Sequence, residues 1–126
     1  MKSLPFWFFG VAVLFVLAGM IWGIQMAISQ DHTMAPAHAH NNLIGFVTMA
    51  IYGIYYRLVP AAADRRLAVV HFWVALVGAV CFPIGLAMAL MGQSDILIQI
   101  ASIVVLLGMA IFVYTVWTNK AGLTNP

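Results

Sequence analysis

The sequence predicts an all-α integral membrane protein, a four-helix bundle. Three observations carry that expectation. First, 65% of the 126 residues are hydrophobic and only 6% are charged, whereas an average soluble domain is about 25% charged. A soluble fold of this size has too little interior to hide so much apolar surface. Second, four segments reach the roughly 20 apolar residues that a membrane helix needs. Third, the basic residues all fall at one end of those segments. Together these exclude a soluble enzyme domain, a nucleic-acid binder and a disordered tail. The net charge of +2 reflects membrane topology rather than affinity for nucleic acid, and the first partner implied is a lipid bilayer.

The whole chain reads as a single membrane domain over residues 1–126. Span 1 runs from about Leu4 to Ile28. Its apolar stretch exceeds the roughly 7–15 residues of a signal-peptide core, so it reads as a retained anchor. Span 2 runs from about His38 to Val59, and span 3 from about Leu67 to Met91. Within span 3, Pro83 should kink the helix and free a carbonyl. Span 4 runs from about Ile96 to Trp117. The connections at Pro60–Arg66 and Gly92–Asp95 are short, so neighbouring helices are antiparallel.

Orientation follows from the cations. Lys2 precedes span 1. Arg57, Arg65 and Arg66 close span 2, and Lys120 follows span 4. The other side carries Asp31 and Asp95 and no Lys or Arg. Both termini are therefore expected to be cytoplasmic, in a cell inner membrane, with the Gln30–Ala37 loop outside. Trp22 and Trp117 sit near span ends, as interfacial anchors do. Tyr52, Tyr55 and Tyr56 read as anchors too, and Met20, Met26, Met49, Met88, Met91 and Met109 as core fillers.

Function classes narrow by what is missing. The lone Cys81 makes no intrachain disulfide, and there is no Cys-x-x-Cys-His for covalent haem attachment. No Gly-rich phosphate loop and no Ser-His-Asp set is present. The histidines carry the remaining information. His32, His38 and His40 cluster at the outer face with Met34, a density of ligand-capable groups that suggests metal or haem. On a helix, His38 and His40 point about 200° apart, so each would serve a different site or partner helix. In an extended segment the pair converges on one metal instead. Asn42 shares the face of His38, and its amide or that of Asn41 can orient a ligand or bond another helix. His71 lies roughly 20 Å from His40 along the membrane normal. It reads as an inner-side histidine bonded to Asp64 or a carbonyl, or as a ligand of a second haem.

Span 2 reads His-Ala-His-Asn-Asn-Leu-Ile-Gly-Phe-Val-Thr-Met-Ala-Ile-Tyr-Gly-Ile-Tyr-Tyr-Arg-Leu-Val-Pro. This resembles the second helix of haem-copper oxidase catalytic subunits (cytochrome c oxidase subunit I-like), and nitric-oxide reductase in particular. There, a histidine that ligates low-spin haem b is followed by Asn and Leu. The match falls on His40, Asn42, Leu43, Gly53, Tyr55, Tyr56, Leu58, Val59 and Pro60. His71-Phe72-Trp73 resembles another phrase of that superfamily. His38-Ala39-His40 is similar to the His-x-His pair of the tenth helix, whose histidines ligate two different haems. The resemblance implies haem b (iron), with His40, His38, Asn42 and His71 as cofactor-binding residues. Those subunits are built from repeated four-helix arcs about a pseudo-threefold axis. A four-span chain resembling one arc is expected to close into a homo-oligomer, with a trimer favoured. Haem would then sit between protomers, on His40 of one chain and His38 of the next.

The expected function is that of a membrane b-type cytochrome, in electron transfer or in haem or gas sensing, with an electron donor or respiratory complex as partner. Any enzyme activity would be oxidoreductase-like. The alternatives are a copper-binding protein using His40, His38, His32 and Met34, and a cofactor-free accessory subunit of a respiratory complex.

Overall fold

The computed structural model describes residues 2–125. Helix α1 spans Leu4–Ser29 and stops at Gln30, which adopts a left-handed φ of 57°. Helix α2 (Ala35–His40), a π-helical segment (Asn41–Thr48) and helix α3 (Met49–Leu58) follow one another without a break. A single turn, α4 (Pro60–Ala63), leads to α5 (Arg66–Leu90), α6 (Ile96–Thr118) and the short α7 (Ala121–Thr124). No strand occurs among the described residues.

Helices α1, α5 and α6 are each long and apolar enough to cross a membrane. The protein is an all-helical membrane protein. The end that carries Lys2, Arg57 and Lys120 is called the inner end here, and the end that carries Asp31 and Asp95 the outer end.

Local chemistry sets the helix limits. Pro60 disfavours the helical conformation for the residue before it, and Val59 leaves the helix at φ −124° and ψ 74°. Pro83 does not interrupt α5, which continues from Arg66 to Leu90 with Pro83 buried inside it. Membrane helices tolerate proline where neighbouring groups satisfy the freed carbonyl.

Helix α1 packs along the π segment and α3, while α5 packs along α6 and touches α2 and the π segment. The α5–α6 contact is backbone-close. A Cβ added at Gly85 would lie 2.7 Å from the Ile98 nitrogen. Small residues give this approach its dispersion energy, since lipid tails compete equally for larger apolar side chains.

The inner half is a closed aromatic core drawn from all four long helical stretches. Phe8 of α1 packs on Tyr52, Tyr56, His71 and Phe72, and Phe112 of α6 packs on Tyr52, Tyr55 and His71. This corrects the reading of the three tyrosines as interfacial anchors: Tyr52, Tyr55 and Tyr56 are all buried. The methionine reading also changes. Met26 and Met49 are buried, but Met20, Met91 and Met109 face outward. In a bilayer an apolar side chain need not be covered by protein, so apolarity does not separate core from lipid-facing surface.

Candidate functional site at the outer histidines

Helix α2 begins with Pro36 in its first turn and carries His38 and His40 at its end. Both are helical, so they turn to different neighbours. His38 faces α1. Its Nε2 donates to the Gly19 carbonyl at 2.9 Å, and its ring meets Trp22 edge-on. A carbonyl can only accept, so Nε2 carries the proton. The Asn42 amide nitrogen lies against it at 3.4 Å. Asn41 donates from Nδ2 to the Phe15 carbonyl at 3.0 Å and to Asn42 Oδ1 at 3.2 Å. His38, Asn41 and Asn42 thus form a polar clasp between the second helical run and α1.

His40 faces α5. Its ring stacks on Phe82, with centroids 4.9 Å apart and planes at 25°. Its Nδ1 donates to the Pro36 carbonyl at 2.7 Å. That bond fixes the tautomer of a neutral ring: the proton sits on Nδ1, and Nε2 keeps its lone pair. A ligating imidazole is prepared in this way, with one nitrogen anchored to a carbonyl and the other offered to a metal. His40 therefore presents Nε2 on a half-buried side chain, and His38, whose Nε2–H is anchored to the Gly19 carbonyl, keeps its lone pair on Nδ1.

The segment that follows is widened. The π form replaces i→i−4 hydrogen bonds by i→i−5 bonds and concentrates at functional sites. Here the Thr48 hydroxyl also reaches five residues back, to the Leu43 carbonyl at 2.9 Å. Gly45, in the middle of this segment, lies flat against the Phe15 ring, where no Cβ fits.

The other expected ligands are not gathered here. His32 is exposed in the loop after α1, and Met34 is half-buried ahead of α2. Asp31 accepts from the Thr33 hydroxyl at 2.6 Å and from its N–H at 3.0 Å. These bonds hold the carboxyl below its usual range. Among the described residues, no three His, Cys, Asp or Glu side chains come together to hold a metal ion.

His71 sits in the inner core, fully buried, and its bond goes to Tyr56 rather than to Asp64: Nδ1 lies 2.9 Å from the tyrosine oxygen. Nε2 has no partner among the described residues. The Gly108 backbone approaches the ring but closes no hydrogen bond to Nε2. Phe8, Tyr52 and Phe112 wall the ring in. The cofactor role expected of His71 would require this aromatic core to open.

Sequence reading missed the partners that define each histidine: Gly19, Pro36, Phe82 and Tyr56. Two of them leave a signal. Pro36 precedes His40 by one helical turn. Tyr56 and His71 lie at similar distances from the Pro60–Arg66 connection, where an antiparallel hairpin brings residues side by side.

These features describe a membrane protein with two carbonyl-anchored imidazoles near one end of the bundle, turned to different neighbours. Comparison with known proteins adds one relative. The chain is 33% identical over 82 residues to cytochrome c oxidase subunit 1 of Corynebacterium diphtheriae, covering 57% of this chain and 14% of that protein. The chain thus spans about a seventh of that relative's length, and the likeness supports a distant relationship to an oxidase subunit. No family model matches the chain, and no solved structure matches it.

Proposed function

We propose that this chain is a membrane b-type haem-binding protein in which His40 Nε2 would hold the haem iron. The observation that carries the reading is the His40 Nδ1–Pro36 bond, which leaves the lone pair of a neutral ring on Nε2. The second helical run, Ala35–Leu58, is roughly 35 Å long at about 1.5 Å per residue. That suffices for a fourth crossing of a hydrocarbon core about 30 Å thick. With four crossings, the cations put both termini on the cytoplasmic side of the inner membrane.

Haem held between two imidazoles supplies one-electron transfer. The chain's residues then have separate roles. His40 binds. Pro36 and Phe82 orient its ring, and His38, Asn41 and Asn42 lock the second helical run against α1. Because His38 and His40 turn to different helices of one chain, a second imidazole for the group that His40 would hold comes from another copy, and the site would be complete only in a homo-oligomer, with a trimer favoured. His38 of that copy would serve through Nδ1 while its Nε2–H stays on the Gly19 carbonyl, and the exposed His32 could serve as well. The copper reading needs convergent ligands, and the helical, divergent placement of His38 and His40 favours haem over it.

The test is His40→Ala. Loss of the haem spectrum at unchanged helix content supports the assignment; an unchanged spectrum overturns it. His38→Ala and His32→Ala then identify the second ligand: the substitution that converts a low-spin to a high-spin spectrum removes it.

A further inference from the structure

The inner end carries a feature that the haem reading does not use. Two cavities meet there and share Lys2, Pro5 and Arg57. The larger, about 440 Å³, runs along the α1–α3 furrow over Phe6, Phe9, Ile54 and Leu58. The smaller, about 320 Å³, is lined by Tyr56, Ala63 and Asp64 beside the same two cations. Gly53 forms the furrow floor, where a Cβ would meet the Pro5 carbonyl and the Phe9 nitrogen at 3.1 Å. Phe6, Phe9, Ile54 and Leu58 are exposed and face outward along the furrow.

The arrangement is amphipathic in a fixed direction. Lys2 precedes α1 and Arg57 closes α3, so both cations lie at the mouth. The apolar lobe runs from them toward the membrane centre, and the polar lobe lies beside them at the end of the bundle. Lipid-facing apolar surface is ordinary for a membrane helix. A furrow with two cations at its headgroup end is not, because cationic pockets between helices at this level attract lipid phosphate.

We infer that this double cavity binds an anionic phospholipid with a hydroxylated headgroup, of the phosphatidylglycerol type. Lys2 and Arg57 face the phosphate. An acyl chain lies in the furrow on Phe9, Ile54 and Leu58. The Asp64 carboxylate, which would repel a bare phosphate, accepts from the headgroup hydroxyls. The site does not depend on haem.

The test uses the full-length protein in detergent, read by native mass spectrometry and thermal melting, with 1-palmitoyl-2-oleoyl-phosphatidylglycerol or the matching phosphatidylcholine added. The wild type should retain phosphatidylglycerol in preference and melt at a higher temperature with it. K2Q/R57Q should weaken retention about 30-fold, the factor that two interfacial cations are worth. Ile54→Trp, which fills the furrow and keeps both cations, should also lose the lipid. R66Q/K120Q, at the same end but outside the cavities, should keep it. D64N should erase the preference for phosphatidylglycerol over phosphatidic acid. The inference is overturned if K2Q/R57Q retains the lipid, if R66Q/K120Q loses it equally, or if soluble glycerol phosphate alone reproduces the melting shift.

Discussion

The two ends of the bundle use a histidine in opposite ways. His71, in the inner half, is fully buried, walled by aromatic rings and bonded to Tyr56. His40, in the outer half, is half-buried, stacked on one ring and anchored only through Nδ1. The difference lies in the surroundings. At the inner end four helical stretches close around one aromatic cluster. At the outer end the wider π turn and the clasp to α1 leave the α5-facing side chain open. A buried histidine with a satisfied Nδ1 contributes to packing, whereas a half-open one with a free Nε2 can contribute to binding.

Substitutions should separate the halves. The largest stability effect is expected at Phe8, which touches four aromatic partners. Phe8→Ala should cost about 3–5 kcal/mol by leaving a cavity, measured by unfolding in mixed micelles. The same measurement on Phe82→Ala should show a smaller loss, with the main change in the His40 site. Equal losses would erase the contrast between a closed and an open half.

Next in size is the α5–α6 contact. Gly85→Ala should cost about 1–3 kcal/mol, because the added methyl meets backbone that cannot yield. Gly108→Ala, on the facing helix, should be near neutral, since its nearest neighbours lie at 3.8 Å. If the two behave alike, the close approach is not what holds the pair together.

A sharper comparison tests the buried polar pair. Tyr56→Phe removes the partner of His71 Nδ1 and should cost about 1–3 kcal/mol, the penalty for an unsatisfied buried group. Tyr56→Phe with His71→Phe removes both polar groups and should recover most of that loss. No recovery would give the pair a role beyond packing.

The smallest effect concerns the outer loop. The folded Asp31 carboxyl titrates below its usual range because Thr33 donates to it twice. A depressed folded pKa stabilises the loop above the ordinary carboxylate range, and that support is lost as pH falls through the lower folded value. Thr33→Ala removes the hydroxyl donor and keeps the backbone one, so it should raise the titration part of the way toward the ordinary range, read by NMR of labelled aspartate carboxyls.

Much of the helical layout is legible in the sequence. The expected spans at 4–28, 67–91 and 96–117 fall on α1 (Leu4–Ser29), α5 (Arg66–Leu90) and α6 (Ile96–Thr118), because long apolar runs have no other stable form in a bilayer. The segment expected at 38–59 is helical from Ala35 to Leu58, but hydropathy cannot distinguish an α turn from a π turn. Side-chain placement is harder to read. In a soluble protein the three inner tyrosines and six methionines would be sorted by polarity. In lipid they are not, so packing decides that Tyr56 is buried and Met20 exposed. The divergence of His38 and His40 follows from helical periodicity. Their different fates do not, because they depend on which carbonyl, Gly19 or Pro36, lies within reach.

The central claim is that His40 Nε2 ligates haem. The most direct measurement is an oxidised-minus-reduced visible spectrum of the detergent-purified protein and of His40→Ala, with pyridine haemochrome and metal analysis on both samples. The account predicts a low-spin b-type spectrum with sharp α and β bands in the wild type, lost in His40→Ala. A colourless wild-type protein, whether metal-free or carrying copper, or a spectrum unchanged by the substitution, would contradict it.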